Sequence, residues 1–320
     1  MARSEDLRFR AGDASLAATL TLPDGDGRLP WALLVPSWLP RNRDGDWDRE
    51  QHTDWYASMR PDAPPGLFAR LADALARQGV ASLRYDPRGC GESDGTWTQT
   101  DLFTRIDDAR DAIGAMRSRS KLDLRRCAIV GHGEGAVVAT SVAIGDPAIG
   151  AVGLIGPSAR SMRDVLRRGA AERSRSGADH EHPAVAALDR STEELIERAE
   201  RREPAMPLLI GEEVVNLRLA AWEQAFHTPV LALVTMLHRN VVIAHGTADA
   251  WADIDESRLL EGTLRHGGNE PVLLEIAGVG HDLGGADTRE FADALAARME
   301  PRELPPVLVA IEQMGSDGSA

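Results

Sequence analysis

Three short stretches of the 320-residue chain carry residue types that could do chemistry together. The first is Gly131-His132-Gly133-Glu134-Gly135, inside CAIVGHGEGAVVA (127–139). An apolar run enters a glycine turn and a small-residue helix leaves it. G-x-S-x-G turns of this kind use a strained strand-to-helix corner to expose an attacking hydroxyl. Here Gly133 fills the attacking position and offers no oxygen. The second stretch is AHGTADAW (244–251), with Asp249 as its acid, and the third is GVGHDL (278–283), with His281. A carboxylate that fixes an imidazole in one tautomer, and an imidazole that moves a proton, form the basic half of a catalytic triad. Taken alone, Asp249 reads as a turn or cap residue and His281 as a surface histidine. Their joint placement after predicted strands is what gives them a common purpose.

The elements that must position them follow from the hydrophobic pattern. LRFRA and SLAATLTL alternate as strands, and WALLVPS (31–37) is a continuous apolar run suited to a strand buried on both faces. A long polar loop rich in Trp, Asp and Pro comes next; its length and aromatics suit a site border. Strand and helix patterns then alternate: LFARLADALARQG, VASLRYD, TDLFTRIDDARDAIGAMRS, CAIVG and IGAVGLIG. Such alternation predicts a mostly parallel twisted sheet with helices on both faces. It breaks over 158–240, which reads as amphipathic helices alone, and resumes at NVVIAHG and PVLLEIAG. The expected layout is a core of 1–157 and 241–320 with a helical cap inserted at 158–240. The acid, the histidine and the glycine turn all fall at strand C-terminal ends, where open parallel sheets bind ligands.

These motifs together resemble the α/β-hydrolases, over almost the whole chain outside the cap. LRYDPRGCGESDG (83–95) is similar to the D-x-R-G-x-G-x-S segment of the esterase and serine-aminopeptidase-like branches. GHGEGA matches their G-H-S-E-G-A at every position but one. LVPSWLPRNRDGDW resembles the stretch that builds the oxyanion hole, with Pro36-Ser37 standing where His-Gly is usual. The resemblance implies Asp249 as triad acid and His281 as base. It implies an oxyanion hole from the N–H of Glu134 and a second N–H at Ser37 or Trp38, since Pro36 has none. It also implies a partly apolar substrate pocket, walled by Trp38, Trp47, Trp55 and Trp222. Cys90, the one alternative nucleophile, reads as a small buried thiol.

Composition narrows the partners. A net charge of −14 argues against nucleic acid and anionic membranes. No apolar run nears the ~18 residues of a membrane span, and the N-terminus lacks a signal-like apolar core. Two cysteines fit a cytoplasmic setting. GHGEGA also satisfies the dinucleotide fingerprint G-x-G-x-x-A, but the next strand ends without the acidic residue that would hold a ribose. No cofactor and no metal is therefore expected, and the partner is a small organic molecule. Three readings stay open: a disarmed acyl hydrolase or acyltransferase, a serine-less enzyme using His281 and Asp249 for general acid–base chemistry, and a non-catalytic ligand binder.

Overall fold

The computed structural model describes residues 2–25, 27–46, 66–176, 183–210, 212–249, 251–309 and 311. Trp47 and Trp55 lie outside the described residues. Two alternating runs pair as an antiparallel hairpin, β1 (Arg3–Ala11) and β2 (Ala14–Leu22). The apolar run becomes β3 (Leu29–Val35), followed by α1 (Leu67–Arg77) and β4 (Ala81–Tyr85). Helix α2 (Leu102–Arg117) starts at Asp101, whose carboxylate accepts the Thr104 N–H at 2.8 Å. Strand β5 (Leu122–His132), α3 (Gly135–Gly145) and β6 (Ile149–Ile155) complete the first half. Next come α4 (Met162–Ser176), α5 (Pro183–Glu200), β7 (Ala205–Ile210), β8 (Glu213–Arg218), α6 (Leu219–His227) and α7 (Val230–Val234). The chain returns with β9 (Asn240–Gly246), α8 (Ile254–His266), β10 (Val272–Ile276) and α9 (Gly285–Ala296).

Eight strands form one sheet in the order β1-β2-β4-β3-β5-β6-β9-β10. From β4 to β10 every pairing is parallel, as the strand–helix alternation predicts. Apolar residues of α1 and α9, such as Leu71, Leu75, Phe291 and Leu295, bury one face. Residues of α2, α3 and α8, such as Ile113, Val138 and Leu260, bury the other. The central strands β3, β5 and β6 are thus covered on both sides, which is why they read as unbroken apolar runs rather than alternating ones.

Strands β6 and β9 pair directly, so the segment between them adds nothing to the main sheet. The expectation of helices alone in that segment is corrected: β7 and β8 form an antiparallel hairpin of their own. GEEVVNLRLAAWEQAF is helical only from Leu219. Before it, Val215 and Leu217 turn inward while Val214 and Asn216 face out, a period of two that the helical reading overlooked. Pro207, in the partner strand, cannot sit inside a helix without losing a hydrogen bond. Helix α5 also begins earlier than expected, at Pro183. Arg163–Glu200 and Arg167–Glu193 pairs tie α4 to α5, while Arg160 and Arg168 meet Glu256 of α8. These arginines are engaged in joining elements. Asp86 accepts from Arg43 of the loop after β3, and Arg88 donates to Asp108 of α2.

The turn between β5 and α3 is packed backbone to backbone. A Cβ on Gly135 would lie 2.6 Å from the carbonyl oxygens of both Val35 and Pro36, and one on Gly131 would lie 2.2 Å from the Gly135 carbonyl. Gly262, inside α8, faces open space instead. Gly135→Ala is therefore expected to cost about 2 kcal/mol or more by overpacking. Gly262→Ala should stabilise by roughly 0.5–1 kcal/mol through helix propensity. Urea midpoints at unchanged slope measure both.

Candidate active site

Strand β5 delivers Gly133 at the tip of this turn with φ +56°, a left-handed conformation that costs a side-chain-bearing residue about 1–2 kcal/mol. Its N–H donates to the Ile155 carbonyl at 2.8 Å, and its own carbonyl receives the Ala136 N–H at 3.1 Å. The next residue, Glu134, caps α3, and its buried carboxylate pairs with Arg105 of α2. Burial pushes the Glu134 carboxyl up, and Arg105 partly opposes that. Arg105 also donates to the Pro36 carbonyl at 3.0 Å, so one guanidinium holds the turn and the loop after β3 together.

The loops after β9 and β10 bring in the acid and the imidazole. They are zipped by Thr247 N–H to Ile276 O and Ala248 N–H to Val279 O, at 2.9 and 3.0 Å. Asp249 Oδ1 accepts the N–H groups of Trp251 and Ala252 at 2.7 and 3.1 Å. Its Oδ2 accepts His281 Nδ1–H at 2.7 Å and lies 3.3 Å from His245 Nε2. Burial pushes the Asp249 carboxyl up, but His281 and His245 outweigh it and hold the group well below the usual carboxylate range. For His281, burial works against the charged form, yet Asp249 more than offsets it by charge and hydrogen bond, and the imidazole ends above its ordinary value. With Nδ1 committed to Asp249, Nε2 is left as the proton acceptor. It stands 3.0 Å from where a Cβ on Gly133 would be. The expected glycine, acid and histidine are therefore brought together.

A second buried network holds the same loop from behind. Asp282 takes a two-point hydrogen bond from Arg41 at 2.8 and 3.0 Å. His132 Nε2 lies 3.2 Å from both the His281 carbonyl and Asp282 Oδ1, so Nε2 carries the proton. Burial, with His281 beside it, pushes His132 down to about 3, and it stays neutral. Gly156, just beyond β6, supports the imidazole face: a Cβ there would lie 2.9 Å from His281 Nδ1.

Gly133 and His281 open into a cavity of about 80 Å³, together with Ser37, Trp38, Arg160 and Trp251. A second cavity of about 50 Å³ shares Ser37, Trp38, Glu134, Met162 and Ala225 with it. Trp38 stands between them, stacked on Trp97 at 5.9 Å and edge-on to Trp222 at 4.6 Å. Trp222 lines only the second cavity, so the structure places it behind Trp38 rather than beside His281. Cys90 is buried in the apolar cluster of Leu39 and Trp97, away from both cavities. Among the described residues no group of three or more His, Cys, Asp or Glu is disposed to hold a metal ion, and no helix is long and apolar enough to cross a membrane.

The profile of the family described as "Serine aminopeptidase, S33" matches residues 65–283, more than half of the chain. The chain belongs to that family. Its fold is the α/β-hydrolase fold, and its relatives are esterase-like. It is 28% identical over 151 residues to Esterase EstD of Thermotoga maritima, a match that covers 47% of this chain but only 32% of the esterase. Est1E of Butyrivibrio proteoclasticus, solved with ferulic acid bound, superposes with a TM-score of 0.62 at 16% identity over 91% of this chain and 99% of that one. An acylaminoacyl peptidase of Pyrococcus horikoshii does so at 0.62 and 13%, over 97% of this chain and 44% of its own.

Five residues of this S33 chain escaped sequence reading. Gly156 sits before Pro157 and looks like loop punctuation. Arg105 meets a partner 29 residues away, which no local spacing signals. The Arg41–Asp282 pair is equally non-local, although Asp282 adjoins His281; His245 stands only four residues before Asp249, inside the stretch read for its acid.

Two titrations follow. By proton NMR, His281 should titrate above 6.5 and fall toward or below it in Asp249→Asn, where the opposing charge is gone. His132 should stay neutral until about pH 3. The linkage has opposite signs: His281 adds stability below 6.5 that is lost as pH rises through its raised folded value. The unfolded chain, in contrast, binds the His132 proton near 6.5, so His132 lowers stability as pH falls from 6.5 toward 3. Urea unfolding across pH measures both.

Proposed function

We propose that the chain is built for acyl transfer, as an ester, thioester or amide hydrolase or an acyltransferase acting on a small organic substrate. In this reading Gly133 stands in the nucleophile position and disarms the conventional route. One observation carries it: His281 Nε2, oriented through Nδ1 by Asp249, stands 3.0 Å from the point where a residue-133 side chain would begin. The N–H of Glu134 and a second N–H at Ser37 or Trp38 act as oxyanion donors. The 158–240 segment acts as a cap over the cavity, with Trp38 as its apolar wall and Trp222 as the support behind it. The buried thiols of Cys90 and Cys127 fit a reducing, cytoplasmic setting.

In a complete triad the serine hydroxyl attacks the acyl carbon while His281 takes its proton, and a covalent ester splits the reaction in two. Without the hydroxyl, rates in comparable enzymes fall on the order of 10⁶-fold, with about 10³–10⁴ over water retained by the oxyanion hole and binding. Gly133→Ser is expected to raise turnover of activated esters by about 10²–10⁴-fold. The gain stops short of the full factor because a Cβ needs the His281 ring to give by a few tenths of an ångström. Steady-state assays measure it, and no gain in a folded variant overturns this reading.

The same short approach favours a second reading. An imidazole that leans into the Cβ position suits direct proton abstraction, from water or from an acidic proton of the substrate, with no covalent intermediate. Turnover by the unaltered chain that disappears in His281→Ala and is not raised in Gly133→Ser would support it.

A further inference from the structure

We propose that the Ser37 hydroxyl is the acyl acceptor of the chain as it stands, in place of the oxygen absent at residue 133. This rests on the acyl-transfer reading of the His281 site. Among the described residues three hydroxyl side chains line the cavity, those of Ser37, Ser158 and Thr228. Ser37 Oγ is the hydroxyl oxygen nearest the glycine turn, 3.2 Å from the Cβ position of Gly133, and His281 Nε2 is 3.0 Å from the same point. Nucleophile candidate and base thus flank one carbon-sized position.

Ser37 is also held there by rigid surroundings. It follows Pro36, whose ring fixes the backbone as it leaves β3, and the Pro36 carbonyl is pinned by Arg105 and by the close approach of Gly135. The side chain is buried, 4% exposed, and borders both cavities. A hydroxyl so placed is shielded from bulk water and faces substrate space, as a nucleophile must be. Cys90, chemically the better nucleophile, is buried elsewhere.

The chemistry balances without a further reagent. Ser37 Oγ attacks the acyl carbon of an ester while its proton passes to His281 Nε2, and the C–O bond to the alcohol breaks. His281 returns that proton to the leaving alkoxide. A water then attacks the Ser37 ester, its proton passes through His281, and Ser37 recovers its hydroxyl. Ser37 lies beside the turn rather than on it, so acyl transfer here is slower than at an elbow serine. Gly133→Ser therefore still gains activity.

An alkyl fluorophosphonate, which reacts with base-activated serine hydroxyls, tests the assignment on the full chain, with the site found by peptide mass spectrometry. The expected result is one adduct per chain on the Ser37 peptide, lost in Ser37→Ala and reduced at least tenfold in His281→Ala. Gly133→Ser combined with Ser37→Ala should still be modified at position 133, which shows that loss of label in Ser37→Ala is not loss of fold. If Gly133→Ser is modified at position 133 while the unaltered chain takes no label on Ser37, the Ser37 assignment falls and the acyl-transfer reading stands. If neither protein is modified, both fall. Labelling of the unaltered chain at another residue also overturns the assignment.

Discussion

The imidazole of His281 is seated against two residues that have no side chain, 133 and 156. Gly133 borders it at Nε2 and Gly156 at Nδ1, and both take positive φ. Everything else about the site is arranged to keep the ring in that slot. Asp249 fixes one nitrogen, the carbonyl of His281 rests on His132, and the neighbouring Asp282 is clamped by Arg41. A ring held from three directions loses its rotational freedom on folding rather than later.

The network is almost entirely out of water, and that sets its electrostatic logic. Buried carboxylates are costly unless paired. Asp249 meets two N–H donors and two imidazoles, Asp282 meets Arg41 and His132, and Glu134 meets Arg105. Two histidines whose rings are 4.5 Å apart cannot both carry charge. Their environments push them in opposite directions, His132 down and His281 up. The contrast between the two imidazoles follows from which one faces the carboxylate of Asp249.

Much of this was legible in the sequence because it is local. Apolar runs such as WALLVPS gave the central strands, and glycine spacing with small residues gave the β5–α3 turn. Asp249 and His281 were found because they end strands in chain order. The hairpin of β7 and β8 was missed because EVVNLR runs straight into a helix, and the longer helical period masked a six-residue alternation. Arg105 and Gly156 stayed hidden for a different reason. Their roles come from partners distant in sequence, and one chain without relatives aligned carries no signal for such pairs.

Among the described residues Trp38 is the one indole that borders both cavities, and it stands between two other indoles. The partition between the two spaces is thus made largely by one side chain, packed against Trp97 and Trp222. The shape of the space beside Gly133 and His281 could then change through residue 38 and its aromatic neighbours while Asp249, His281 and the glycine turn stay untouched.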